Sequence, residues 1–237
     1  MKTMIFTLLL LLGLPVHSYA RSQQDLKKIE SGTDVEQMAS QEQLYLFQNF
    51  EDGVVIKKNG AFARGKLNYN LVVGQMQFID PATEERLALA DIATVATVSI
   101  SGRSFIPLSA RGEFLEILVD GANSLGVKRR TITRTYGKEG AYGVIHTSAS
   151  IESVQTLPLS ERPAEAFSVS NYQLISSQSL FYLVTNGKRK LIQNKKTILN
   201  AYPKSVRPQI DQYISDSNID LRNEQELITL INFCNLL

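Results

Sequence analysis

The chain holds one cysteine, no tryptophan and two histidines among its 237 residues. A lone cysteine makes no internal disulfide, so the folded state must rest on its core. It also leaves no cysteine set for a structural zinc site. Cys234 stands in the apolar stretch Leu230-Ile231-Asn232-Phe233-Cys234 and reads as a small buried hydrophobe rather than a reactive thiol. Without tryptophan, the ring most used to stack on sugars is missing. There is no G-x-G-x-x-G and no Walker-type loop, which removes the common nucleotide cradles. Twenty-five basic against 23 acidic residues give a formal net charge of +2, with no electrostatic pull toward nucleic acid.

The one long apolar run lies at the start. Lys2 precedes Met4 to Val16, and Ser18 and Ala20 supply small residues at the −3 and −1 positions of a cleavage site. The run is shorter than the roughly 20 apolar residues a membrane-spanning helix needs. Residues 1–20 are therefore expected to be a secretory signal peptide cleaved after Ala20. The mature protein is expected to be soluble and extracytoplasmic, in the periplasm or secreted. His146 is then the only histidine left.

Residues 21–43 are polar and read as a lead-in with at most a turn or two of helix. From 44 to 193 the punctuation is that of antiparallel β. Asn59-Gly60, Ser101-Gly102 and Asn186-Gly187 each stand between β-rich runs and suit two-residue turns, the Asn-Gly pairs fitting type I′. Longer turns fit at Val73-Gly74 and Asp120 to Asn123, and Asp80-Pro81-Ala82-Thr83 closes the run Gln75 to Ile79. Leu67, Tyr69 and Leu71 alternate with Asn68 and Asn70, while Phe114 to Val119 is apolar on nearly both faces, as in a central strand. Residues 138–162, poor in large apolar groups, read as a long irregular excursion.

After Asn194 the period changes. Lys195 to Tyr202 suits a short helix stopped by Pro203, and Ser205 to Ser217 a second, with Pro208 in its first turn. Asn223 suits the cap of a third, whose apolar face is Leu227, Ile228, Leu230, Ile231 and Cys234. The fold class expected is α+β, mainly antiparallel β as a sandwich or partly closed barrel. A C-terminal helical segment, 194–237, is expected to pack on the β domain.

Several runs together carry a resemblance. They are Leu67-Asn68-Tyr69-Asn70-Leu71, Met76-Gln77-Phe78-Ile79, Leu87-Ala88-Leu89-Ala90, Gly140-Ala141-Tyr142-Gly143, Thr147-Ser148-Ala149 and the tail with Ala201-Tyr202-Pro203-Lys204. The chain resembles uncharacterised exported proteins of the Bacteroidota over most of its length, from about Phe50 to Leu230. The tail departs from the usual pattern only in having Tyr202 where Phe precedes the proline. The resemblance implies an extracytoplasmic compartment and a β-then-helix layout. It carries no activity, cofactor or catalytic residue.

Few residues point to chemistry. A serine hydrolase would need His146, which falls with Ser148 in the irregular stretch, the wrong setting for a preorganised base. No lysine of the mature chain has a serine three residues before it. Asp216-x-Asn218-x-Asp220 opens like a calcium loop, but Leu221 and Leu227 stand where Gly and Glu are needed. Asp52 and Glu84 are the carboxylates on which a hydrolase of an envelope polymer would have to draw. No cofactor, no metal site and no catalytic residue is expected, and the balance falls against an enzyme. Two basic clusters remain as binding candidates: Lys128, Arg130 and Arg134 on one strand, and Lys188 and Lys190 on a hairpin arm. Lysines on a strand edge commonly serve only to block pairing. The favoured reading is a non-catalytic envelope-associated protein that binds a partner or ligand of that compartment.

Overall fold

The structure, a computed structural model, describes residues 25–28, 39–139, 145–146 and 172–237, with the backbone alone at 25–28, 134–139, 145–146 and 172–174. The leader, Ser148 and most of the 138–162 excursion lie outside the described residues.

Twelve strands are present among these residues: β1 (Asp25–Lys28), β2 (Glu51–Lys57), β3 (Phe62–Asn70), β4 (Gln75–Ile79), β5 (Arg86–Ala88), β6 (Val95–Ile100), β7 (Arg103–Pro107), β8 (Phe114–Val119), β9 (Asn123–Glu139), β10 (Ile145–His146), β11 (Tyr172–Thr185) and β12 (Lys188–Leu191). Ten run in the order β1-β11-β9-β8-β7-β6-β2-β3-β4-β5, with β10 on β9 and β12 on β11. Each of these pairings is antiparallel. The helices are α1 (Gln41–Leu44), α2 (Lys195–Leu199), α3 (Arg207–Asp216) and α4 (Glu224–Cys234). The fold is thus α+β and β-rich, with its helices gathered mainly at the C-terminus. The stretch read as a polar lead-in contains one strand, β1, and most of one helical turn, α1. The described residues of the 138–162 excursion, 138–139 and 145–146, form a strand pair with His146 opposite Lys138.

Two of the three dipeptide turns are as the sequence predicts. Ser101-Gly102 has φ of 46° and 77°, and Asn186-Gly187 has 50° and 72°, the doubly positive signature of type I′. The third differs. Lys57 pairs with Ala61, the Gly60 N–H donates to the Lys57 carbonyl at 2.9 Å, and only Gly60 has positive φ, at 84°. Lys58-Asn59-Gly60 is therefore a three-residue loop, a type I turn followed by a left-handed glycine. The Asn59 carboxamide is used differently, accepting from the Ala61 N–H at 3.0 Å.

The sheet is single and not closed, but it curls strongly. Tyr69 on β3 and Phe114 on β8 are four strands apart in the sheet order. A flat sheet would hold them about 19 Å apart, yet their rings meet edge to face at 6.4 Å. The Thr131 N–H on β9 also reaches the Leu71 carbonyl beyond β3, at 2.9 Å. Inside the curl lies one core, with Val55, Leu67, Tyr69, Met76, Val98, Ile100, Phe105 and Phe114 buried together.

Asn68 and Asn70, the polar alternates of β3, are buried as well. Asn68 takes the N–H of Phe47 and gives its amide to the carbonyls of Phe47 and Asn49, at 2.8–3.1 Å. It satisfies the backbone of segment 46–50, which covers that part of the sheet. Asn70 accepts from Val72 and Val73 and so shapes the next turn.

The second core joins sheet to helices. Leu125, Val127, Phe181 and Leu183 meet Ile198, Tyr202, Ile210, Leu227, Leu230 and Ile231. The α4 cap is as the sequence predicts: Asn223 Oδ1 accepts from the N–H groups of Gln225 and Glu226. Leu227, Leu230, Ile231 and Cys234 are buried beneath it. Burial raises the Cys234 thiol pKa to about 11.

Candidate functional site

The basic residues singled out by sequence do not form one surface. Lys128 is buried on β9, and its ammonium pairs with Glu113. Arg130 Nε donates to Gln178 Oε1 at 2.7 Å. Arg134 stands opposite Leu174 in the backbone register, on the same face of β9 as Arg130. Lys188 and Lys190 are exposed on β12, opposite Thr185 and Leu183. Directly opposed residues share a face. Lys190, Leu183 and Leu125 therefore lie on the helix-bearing face, and Lys128 with Leu180 on the other.

The carboxylates do not converge either. Asp52 is exposed on β2 and ion-paired to Lys66 at 3.0 Å. Glu84 sits in the β4–β5 turn with φ of 57°, and β3 intervenes between β2 and β4. Asp216 ends α3, and Asp220 Oδ1 accepts from the Arg222 N–H at 2.9 Å, which makes that segment a helix linker. No group of three or more His, Cys, Asp or Glu that would hold a metal occurs among the described residues.

The chief charged constellation is one that sequence reading missed. Glu116 on β8 is almost fully buried, with its side chain 7% exposed. Both its oxygens are taken by Arg103, at 2.6 Å from Nε and 2.6 Å from Nη2, and Arg129 Nε adds a contact at 2.8 Å. Arg129 in turn donates to Glu224 in the first turn of α4, at 3.0 Å. The Arg103 guanidinium lies over the Phe47 ring at 5.0 Å. Burial alone would raise the Glu116 pKa. The Arg103 hydrogen bonds and the Arg129 charge outweigh it and hold the carboxyl below its ordinary range. The Arg129 pKa is raised, since Glu224 and Glu116 outweigh its own burial. This array separates the two cores on one face of the sheet and fixes the start of α4. The other end is held where the Asn235 amide donates to the Asn123 carbonyl at 3.0 Å. All the charges are mutually satisfied, so the array is a joint rather than a site.

Among the described residues, one edge of the sheet remains open. On the side of β11 away from β9, the described part of β1 pairs as far as Ile175, and β12 begins at Tyr182. The Ile192 N–H reaches the Phe181 carbonyl at 2.8 Å. Among the described residues no strand covers 176–180. The hairpin phase fixes which groups face out: Thr185 and Lys188 close a two-residue turn, so odd-numbered residues of β11 direct their N–H and C=O outward. Ser177 and Ser179 are those residues, and both are exposed. Charges, proline and bulges normally protect such an edge, yet Ser176-Ser177-Gln178-Ser179-Leu180 contains no charge and no proline. Against it lies a cleft of about 380 Å³, lined by apolar Leu180, Phe181, Leu191, Ile192 and Leu221 and by as many polar or charged residues, Asp220 and Arg222 among them.

Comparison of the chain with protein-family models, with curated proteins and with solved structures finds no match. No helix among the described residues is long and apolar enough to cross a membrane.

Proposed function

We propose that this chain is a non-catalytic binding protein of the cell envelope, exported by a leader cleaved after Ala20, that takes an extended polypeptide segment onto the open edge of β11. The observation that carries the reading is the stretch 176–180, which no strand among the described residues covers, flanked by β1 and β12 and bordered by a cleft of mixed apolar and polar lining. Strand addition supplies affinity through main-chain hydrogen bonds, and a neighbouring pocket reads alternate side chains. The slot spans about 17 Å at strand rise, enough for a segment of about five residues. The resemblance to exported proteins of the Bacteroidota supports the compartment.

The test uses a random peptide library as the probe, displayed as extended linear sequences. A selected peptide is expected to slow amide exchange at Ser177 and Ser179. Ser179→Pro removes only an outward N–H and leaves the ladder to β9 intact. That variant is expected to lose tenfold or more in affinity with its melting temperature little changed. Binding that leaves both amides unprotected, or survives Ser179→Pro, would overturn the proposal. So would a library that yields no binder.

A further inference from the structure

The β2–β3 hairpin ends in nine consecutive exposed residues, Ile56 to Arg64. Phe62 is 65% exposed and Ile56 40%, and the two stand directly opposite each other across the hairpin. Residues that face each other in this way share one face of the sheet. Arg64, two residues on from Phe62, shares that face and lays its guanidinium 5.6 Å from the Phe62 ring centroid. Lys57 and Lys58 flank the same tip. Lys58 is held upright by a 2.7 Å hydrogen bond from its ammonium to the Ala93 carbonyl.

The charge pattern is one-sided. Between Asp52 and Asp80 the sequence contains no acidic residue, but it contains Lys57, Lys58, Arg64 and Lys66. Among the described residues, only Lys66 has a carboxylate partner, Asp52. The three cations nearest the tip have none among the described residues. Exposed apolar side chains scattered singly need no explanation. Here an aromatic and an aliphatic side chain form one cross-strand pair at a protruding turn, ringed by cations with no carboxylate partner among the described residues.

We infer that the β2–β3 hairpin is a membrane-contact element that seats Ile56 and Phe62 in the interfacial layer of an anionic lipid surface. The chemistry is that of interfacial anchors generally: apolar side chains enter the headgroup–acyl boundary while lysine and arginine meet anionic headgroups. Phe62 needs no rearrangement to enter, since it is already exposed. The stems of Lys57 and Arg64 can lie along the boundary with their charged ends in the headgroups. This surface is separate from the β11 edge, so the inference stands or falls independently of the binding reading above.

The chain contains no tryptophan, which makes a site-specific optical test available. Phe62→Trp places the sole indole at the tip. Leu87→Trp, at a second exposed apolar position on β5, is the control. Both are titrated with vesicles of phosphatidylcholine alone and with vesicles of phosphatidylcholine and phosphatidylglycerol in equal amounts. The expected result is a blue shift of the indole in Phe62→Trp with the anionic vesicles only, reversed by high salt, and no shift in Leu87→Trp. Each of three cations near an anionic surface strengthens binding roughly fivefold, about a hundredfold together. Lys57→Gln with Arg64→Gln should therefore weaken cosedimentation of the otherwise unaltered chain by about twenty-five-fold, and Phe62→Ser should weaken it further. Absence of binding to the anionic vesicles would overturn the inference, and so would a shift in the control variant in place of the tip variant. Equal binding to neutral vesicles, or unchanged binding by Phe62→Ser, would do the same. Capture of a protein partner by the hairpin without vesicle affinity would overturn the lipid assignment in favour of that partner.

Discussion

Replacing Glu116 by glutamine tests the buried charge array directly. The substitution keeps the shape and one oxygen, but it leaves Arg103 and Arg129 facing a neutral group. Glu116 accepts three charge-assisted hydrogen bonds of 2.6–2.8 Å. Removing one partner of a buried ion pair costs about 3–5 kcal/mol, because the remaining charge stays desolvated. The arginine side chains are 33% and 24% exposed, so water recovers part of that cost, and the lower end, about 3 kcal/mol, is expected. For a chain of this size that lowers the melting temperature by about 6–12 °C.

The assay is urea unfolding of both proteins across pH. The folded-state pKa of Glu116 is depressed below its ordinary 4.5. Its stabilisation is therefore complete above about pH 4.5 and is lost as pH falls through the depressed folded value. The gap between wild type and Glu116→Gln should be full at neutral pH and shrink in strong acid. Added salt should leave most of it intact, since the carboxylate is buried. A gap under about 0.5 kcal/mol at neutral pH would refute the reasoning, placing the change within the range of ordinary surface substitutions. A gap that widens in acid would refute the sign.

Other outcomes follow from the packing. Leu230→Ala empties a fully buried position beneath α4 and should cost about 2–5 kcal/mol in the same assay. Truncation after Asn194 strips the cover from Leu125, Val127, Phe181 and Leu183, and size exclusion should find aggregate in place of monomer. A Cβ at Gly53 would sit 2.6 Å from Leu67 Cδ1 and 2.8 Å from the Ser99 carbonyl, so Gly53→Ala should destabilise by about 1–3 kcal/mol through overpacking. With its pKa near 11, the Cys234 thiol is about one thousandth thiolate at pH 8, and a disulfide reagent should label it only after denaturant is added.

Local features were the legible ones. Two type I′ turns, the strand Gln75–Ile79 stopped by Pro81, the α4 cap at Asn223 and the apolar face of α4 all follow from chemistry within a few residues of each other. Asn59-Gly60 shows the limit even at short range, because one glycine in the left-handed region serves both a two-residue and a three-residue loop. Buried polar groups were opaque. Asn68 reads as a solvent-facing alternate until segment 46–50 is laid across it. Lys128 reads as a surface cation until Glu113 is placed beside it. Glu116 resembles any strand glutamate, since its arginines come from neighbouring strands and the array's last member, Glu224, lies 95 residues from Arg129. The edge of β11 at 176–180, which no strand among the described residues covers, was equally invisible, because pairing partners are a property of the whole sheet.

The position of β1 carries a kinetic consequence. Asp25 lies opposite Ile175, 150 positions later in the chain. Closing a loop of that length costs roughly 4 kcal/mol of chain entropy beyond the constant term, against which a four-residue strand offers little by itself. The hairpins β6–β7 and β11–β12 close across two residues each and face no such barrier. The first of the described strands should therefore be among the last fixed, docking only after β9 and β11 have paired and shortened the effective loop. A chain emerging N-terminus first, from a ribosome or through an export channel, would carry this segment unpaired until residues 172–175 had followed.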